Sequence, residues 1–155
     1  VPGALAAAAA SGAALCLMHM WGEPDSMQSA PAYDDVIAEV RGFLDARVAA
    51  CLSAGIAREQ LCIDPGIGFG KLPEHNLALL AGLARVGEPS LPIVVGVSRK
   101  SLVGIITGRP PAERLAGSVA FAALAVARGA RIVRAHDVAA QDHAGAGVRH
   151  QQLDP

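Results

Sequence analysis

Four apolar runs, each ending in a polar cluster, constrain this chain more than any other feature. The runs are Leu15–Met20, Gln60–Ile63, Pro92–Val97 and Arg131–Val133. The clusters closing them are His19-Met20-Trp21-Gly22, Asp64-Pro65-Gly66, Ser98-Arg99-Lys100-Ser101 and Arg134-Ala135-His136-Asp137. Strands covered on both faces by helices read as unbroken apolar stretches. Parallel sheets gather their chemistry at the carboxyl ends of such strands. Four strands obeying that rule in succession predict a single shared site.

The segments between the runs read as helices. Pro2 to Ala10 is alanine-rich, with Pro2 near the first turn and Gly12 as a C-cap. Asp34 or Asp35 can cap a helix to about Ala54, where Val36, Ile37, Val40, Phe43, Leu44, Val48 and Leu52 recur at helical spacing and Gly55 ends it. Further helices are expected over Pro73–Leu83, from near Lys100, over Ala112–Arg128, and from Val138. Alternation of this kind demands a parallel sheet with crossover helices, the α/β class. The 155 residues fit one domain, and the tail from Ala144 loses apolar periodicity and is expected to fray.

Charge and cysteine content narrow the function classes. A net charge of −1 points away from nucleic acid and from anionic membrane surfaces. The amino-terminal alanine run carries no basic residue before Arg41, so it reads as a helix leading into a strand, not as a signal peptide or membrane span. Cys16, Cys51 and Cys62 are expected to be buried free thiols of a cytoplasmic protein, and no cysteine or histidine spacing suggests zinc.

The clusters carry the candidate chemistry. Asp-Pro-Gly-Ile-Gly-Phe-Gly-Lys from Asp64 is not a Walker A loop, because its glycine spacing is wrong and Leu72 follows Lys71 where a hydroxyl residue should ligate magnesium. Asp64, at the end of an apolar strand, is either a turn residue or the acceptor for a ligand with adjacent N–H donors. Ser98 to Ser101 ends a strand and opens a helix, where backbone N–H groups and Lys100 favour an anion, unless the segment is only a solvated basic loop. Arg134 and His136 alternate around Ala135 and face the same way if the strand continues. Asp137 can simply cap the last helix. His19 and Met20 read more readily as packing residues than as ligand contacts.

Taken together, LMHMWGEPDSMQ, YDDVIAEV, DPGIGFGK, GVSRKSLVG, ERLAGS and IVRAHDV resemble dihydropteroate synthases, the folate-pathway enzymes inhibited by sulfonamides. The resemblance covers nearly the whole chain. It implies a (β/α)8 TIM barrel of which this chain supplies about the second half, four parallel strands with crossover helices. It implies condensation of 7,8-dihydropterin pyrophosphate with p-aminobenzoate and release of pyrophosphate.

By position, Asp64, Lys100 and Arg134 are the implied catalytic residues. Met20, Phe69 and Gly96 join them on the pterin side, and Phe69, Lys100 and Ser101 line the aminobenzoate side. Arg134 and His136 would hold the pyrophosphate. Trp21 and Ala135 depart from the family's usual glutamine and valine. The family's first half, with the asparagine linked to magnesium and the two mobile loops, lies outside this sequence, so no metal ligand is expected within it. The implied partners are that half-barrel and a second copy in a homodimer, and the chain alone is expected to be inactive and to self-associate. Two other readings remain: a non-catalytic remnant, and another pterin-binding barrel such as a methyltetrahydrofolate methyltransferase domain, which SRKS and RAHDV disfavour.

Overall fold

A computed structural model of the chain describes residues 3–22, 31–88 and 90–142. The expected position of Pro2, most of the loop after Trp21 and the tail from Ala144 lie outside those residues.

The sheet has four parallel strands: β1 (Leu15–Met18), β2 (Leu61–Asp64), β3 (Ile93–Val95) and β4 (Ala130–Val133). Their spatial order is β1-β2-β3-β4. Each strand therefore lies beside its successor, and the order never reverses. A doubly wound sheet reverses at a switch point, whereas sequential advance in one direction belongs to a (β/α) barrel. The expected α/β class and strand positions hold, and the chain forms four consecutive strands of such a barrel.

The helices are α1 (Ala4–Ser11), α2 (Val36–Ser53), α3 (Pro73–Ala81), α4 (Ser101–Thr107) and α5 (Leu115–Ala127). Asp35 caps α2, accepting from the amides of Ile37 and Ala38 at 3.0 Å each, while Glu39 reaches back to the amides of Asp34 and Asp35. That reciprocal arrangement satisfies amides the helix leaves orphaned. Val36, Val40, Leu44, Val48 and Cys51 form the buried stripe of α2. Phe43 and Leu52, expected on that stripe, are exposed at its margins.

The expected helix over Ala112–Arg128 is interrupted. A 3-10 turn, Pro111–Glu113, precedes α5, and Arg114 separates them. Its guanidinium donates to the carbonyls of Arg109, Arg99 and Lys100, so the side chain ties neighbouring loops together at the break.

The two sheet faces differ. Leu61, Ile63, Ile93, Val95 and Val97 pack into the core beneath the helices with Leu44, Leu79 and Leu83. The alternate positions, Cys16, Cys62, Val94 and Ile132, face the other way, toward what is the interior in a barrel. There Ile132 is 45% exposed, Cys16 is exposed and Cys62 half-buried. The expectation of three buried thiols thus holds only for Cys51. Strand alternation sets Cys16 and Cys62 on the face that these four strands leave open. No described helix is long and apolar enough to cross a membrane.

Candidate functional site

Asp64 ends β2 on the open face, opposite Met18 of β1. It is 5% exposed, and its Oδ1 accepts the Gly66 amide at 2.7 Å. Burial pushes its carboxyl above the ordinary aspartate range, and the Gly66 amide, Lys100, Arg134 and Lys71 partly offset that rise. The residue is both a turn acceptor and the negative centre of a cationic surround.

The following loop folds back on itself. Tyr33 Oη donates to the Gly70 carbonyl at 2.9 Å, and the Gly68 amide donates to Asn76 Oδ1 at 2.7 Å. Asn76 Nδ2 in turn donates to the carbonyls of Lys71 and Leu72. Gly66, at φ 69°, lies so close to β1 that a Cβ there would collide with the His19 carbonyl. Only glycine meets both demands.

Lys100 precedes α4 and reaches across to this loop. Its Nζ donates to the Ile67 carbonyl and sits 4.3 Å from the centroid of the Phe69 ring. Burial lowers its pKa to about 8, against the pull of Asp64. A lysine in that range still carries its charge at neutral pH and can lose it with modest change.

Arg134 follows β4, its amide bonded to the Val95 carbonyl at 2.9 Å. Its guanidinium lies over Gly96, where an added Cβ would stand 3.0 Å from Nη2. Glycine at 96 therefore makes room for Arg134.

Ser98 organises the rim. Its hydroxyl accepts the His136 amide and Gln141 Nε2, both at 3.2 Å, and lies 3.0 Å from His136 Nδ1. Two acceptor sites are thus used, and its proton is left for Nδ1, which puts the imidazole proton on Nε2. Arg99 adopts φ 57° and forms a two-pronged pair with Asp137, at 3.0 and 2.6 Å. Asp137 precedes the helical residues 138–142 as expected, but its carboxylate serves Arg99.

Gly96, Ser98, Lys100, Arg134, Ala135 and His136 line a cleft of about 170 Å³. Lys100, Arg134, Gly96 and His136 thus converge, with Phe69 against Lys100 and Asp64 buried within reach of the Lys100 and Arg134 charges. Ser101 is exposed at the first position of α4 and Met20 is half-buried; neither lines the cleft. Ser98 and Lys71 were not among the residues expected from sequence. Ser98 had a signal in its alternation with Gly96 just past the end of β3. Lys71 had none, because spacing does not say that a lysine folds inward.

Chemically, the cleft offers cations to an anion and a buried carboxylate to an N–H donor edge. Among the described residues no group of three or more His, Cys, Asp or Glu is placed to hold a metal ion. The cationic lining does not suit magnesium, which takes oxygen ligands.

Residues 2–136 match the family model described as pterin binding enzyme. The chain is 53% identical over 137 residues to a dihydropteroate synthase of Escherichia coli, covering 88% of this chain and 49% of that protein. Among solved structures, it resembles the Yersinia pestis dihydropteroate synthase with a sulfonamide drug complex, at TM-score 0.95 and 45% identity, covering 99% of this chain and 56% of that one. The Xanthomonas albilineans enzyme in complex with 7,8-dihydropteroate matches at TM-score 0.91 and 46% identity, over 100% of this chain and 56% of that chain. The chain spans about half the length of the curated relatives it matches.

Proposed function

We propose, for a chain that belongs to the pterin-binding enzyme family, that it supplies half of the active site of a dihydropteroate synthase. The reaction joins 7,8-dihydropterin pyrophosphate to p-aminobenzoate and releases pyrophosphate. The observation carrying this reading is the buried Asp64 facing Lys100 and Arg134 at the rim of one cationic cleft. Dihydropteroate, the sulfonamide drug and p-aminobenzoate in complexes of similar enzymes support it.

Asp64 keeps one oxygen on the Gly66 amide, and its other oxygen accepts the N–H edge of the pterin. As pyrophosphate departs, the pterin methylene becomes electron-poor, and the preorganised carboxylate stabilises that positive charge. Arg134 and His136 take up the charge developing on the pyrophosphate. Lys100 stands between the two substrates, with Phe69 lining both sides and Gly96 in the pterin wall, while Met20 and Ser101 lie outside the cleft that these strands form. The aminobenzoate amine attacks as a neutral nucleophile, so no protein nucleophile is needed. Magnesium, implied for the whole enzyme, would be held by residues other than these, where it would neutralise charge on the pyrophosphate.

The rest of the barrel completes the pterin wall and covers the open face around Cys16 and Ile132. The exposed Ile105, Ile106, Leu115 and Leu124 on α4 and α5 suit a homodimer contact. The cytoplasm, where free thiols persist, is its expected place.

The test is a pyrophosphate-release assay on this chain alone and on the complete barrel that carries it. Turnover by the complete barrel and none by the chain alone supports the reading. A complete barrel that binds pterin without turnover on p-aminobenzoate replaces it with a different pterin-binding activity.

A further inference from the structure

The glycine loop after Asp64 is anchored by a buried ammonium group that the reaction itself does not use. Lys71 is 3% exposed. Its Nζ donates to the Gly66 carbonyl at 3.0 Å, to the Phe69 carbonyl at 3.0 Å, and lies 2.9 Å from His19 Nδ1. An ammonium has three donors and no acceptor, so these partners use its full capacity, and His19 Nδ1 must be the acceptor. His19 directly follows β1, while Gly66 and Phe69 belong to the loop after β2. The lysine therefore ties two strand ends together.

The fit is specific. The His19 amide donates to the Asp64 carbonyl at 3.1 Å, which places the imidazole beside the loop. The Phe43 ring meets the imidazole edge-on at 5.0 Å, holding its orientation. Gly66 presses on the His19 carbonyl at the same junction. Burial and the neighbouring Lys71 charge lower the His19 pKa to about 4, which keeps the ring neutral and able to accept. A buried ammonium is costly where an apolar side chain would fill the space. What the lysine adds is a fixed position for the Gly66 and Phe69 carbonyls, and with them for Ile67, whose carbonyl takes Lys100, and for the Phe69 ring, which lies under Lys100.

We propose that Lys71 and His19 are positioning residues that clamp the loop bearing Phe69 to the end of β1 and so set the aminobenzoate side of the site. This rests on the synthase reading above. Neither residue touches substrate; both act through Phe69 and Lys100.

The experiment compares Lys71→Met, His19→Leu and His19→Asn in the complete barrel. Asn restores an oxygen near the place of Nδ1 and can accept from Lys71; Leu cannot. His19→Leu and Lys71→Met are expected to raise KM for p-aminobenzoate and Kd for a sulfonamide by about tenfold or more, with kcat within about threefold, because a small misplacement of a substrate wall is costly. His19→Asn is expected to stay within about threefold of wild type in both. Amide hydrogen exchange across residues 66–70, where the Phe69 amide donates to the Gly66 carbonyl at 3.0 Å, is expected to speed up in the Leu and Met variants and not in the Asn variant.

If Lys71→Met does not fold, the two His19 variants decide the matter. Equal KM for Leu and Asn in an active enzyme overturns the clamp and leaves ordinary packing. A wild-type barrel without synthase turnover overturns the synthase reading instead. The exchange pattern then still reads the clamp directly, and unchanged exchange in His19→Leu overturns it.

Discussion

The loop after β2 and the rim made by the β3 and β4 ends hold the same cleft by opposite means. The loop is built from backbone groups enclosed by side chains: Lys71 takes two of its carbonyls, Tyr33 a third, Asn76 an amide, and Gly66 lies against β1. The rim is built from polar side chains, with Lys100 and Arg134 supplying the charge, His136 lining the cleft with them and the Arg99–Asp137 pair partly exposed beside it. Buried backbone acceptors fix position, because leaving any of them unpaired costs free energy. Half-exposed cations supply field, which water screens and which geometry fixes less tightly. The difference assigns precision to one side and attraction to the other, and substitutions in the two regions should fail differently.

The largest expected effect falls in the loop. Gly66→Ala must open the contact with the His19 carbonyl and also hold alanine at φ 69°. A loss on the order of 3 kcal/mol or more in urea denaturation is expected, together with loss of ligand binding. A variant of near wild-type stability would show that the loop tolerates displacement, and the contrast with the rim would weaken.

Asp64→Asn separates position from charge at the centre. Asn keeps an oxygen for the Gly66 amide but removes the carboxylate, so in the complete enzyme kcat/KM should fall on the order of 10²-fold. Stability should hold or rise at neutral pH. The sign follows from the direction of the shift: a carboxyl raised in the folded state binds its proton more tightly there, so its ionisation costs stability as pH climbs past the unfolded value. Normal turnover with reduced stability would make Asp64 a turn residue only.

Lys100 tests the rim. Lys100→Ala should weaken p-aminobenzoate by about tenfold, one charge-assisted contact. With the lysine pKa lowered to about 8, wild-type affinity for this single-charged ligand should decline above that pH, and Lys100→Arg should remove the decline. A flat wild-type profile would mean that attraction does not come from this lysine.

A smaller effect separates the regions by acid. His19 has its pKa lowered to about 4 from an ordinary 6.5, so the unfolded chain binds the extra proton first and stability should fall progressively as pH drops through that window. His19→Asn should flatten the decline. The smallest effect belongs to Arg99→Ala, which breaks only the partly exposed pair with Asp137. Its thermal midpoint should not move measurably. A clear drop would mean that the rim is fixed as firmly as the loop.

Much of this molecule was legible in its residues. The four apolar runs marked β1 to β4 within a few residues, the Asp34-Asp35 pair and Gly55 marked the ends of α2, and Asp64, Lys100, Arg134 and His136 were singled out because each stands just past an apolar run. These features are local: periodicity, caps and strand ends are written in contiguous residues. The interruption at Arg114 was not legible, because its cause is a set of carbonyls on Arg99, Lys100 and Arg109 that the fold brings to it. The exposure of Cys16 was not legible either, because an apolar run does not say which face of the sheet is covered.

Sequence by itself thus determined the kind of fold, the direction of the strands and the chemical character of the cleft, since each follows from short-range pattern and residue type. Tertiary structure alone decided that Lys71 turns inward to His19 while Lys100 reaches the Ile67 carbonyl and the face of Phe69. The two lysines carry the same side chain, and both have a pKa of about 8 in this fold. What separates their roles is which acceptors lie within hydrogen-bond reach, and residues distant in the chain meet there only once the sheet has formed.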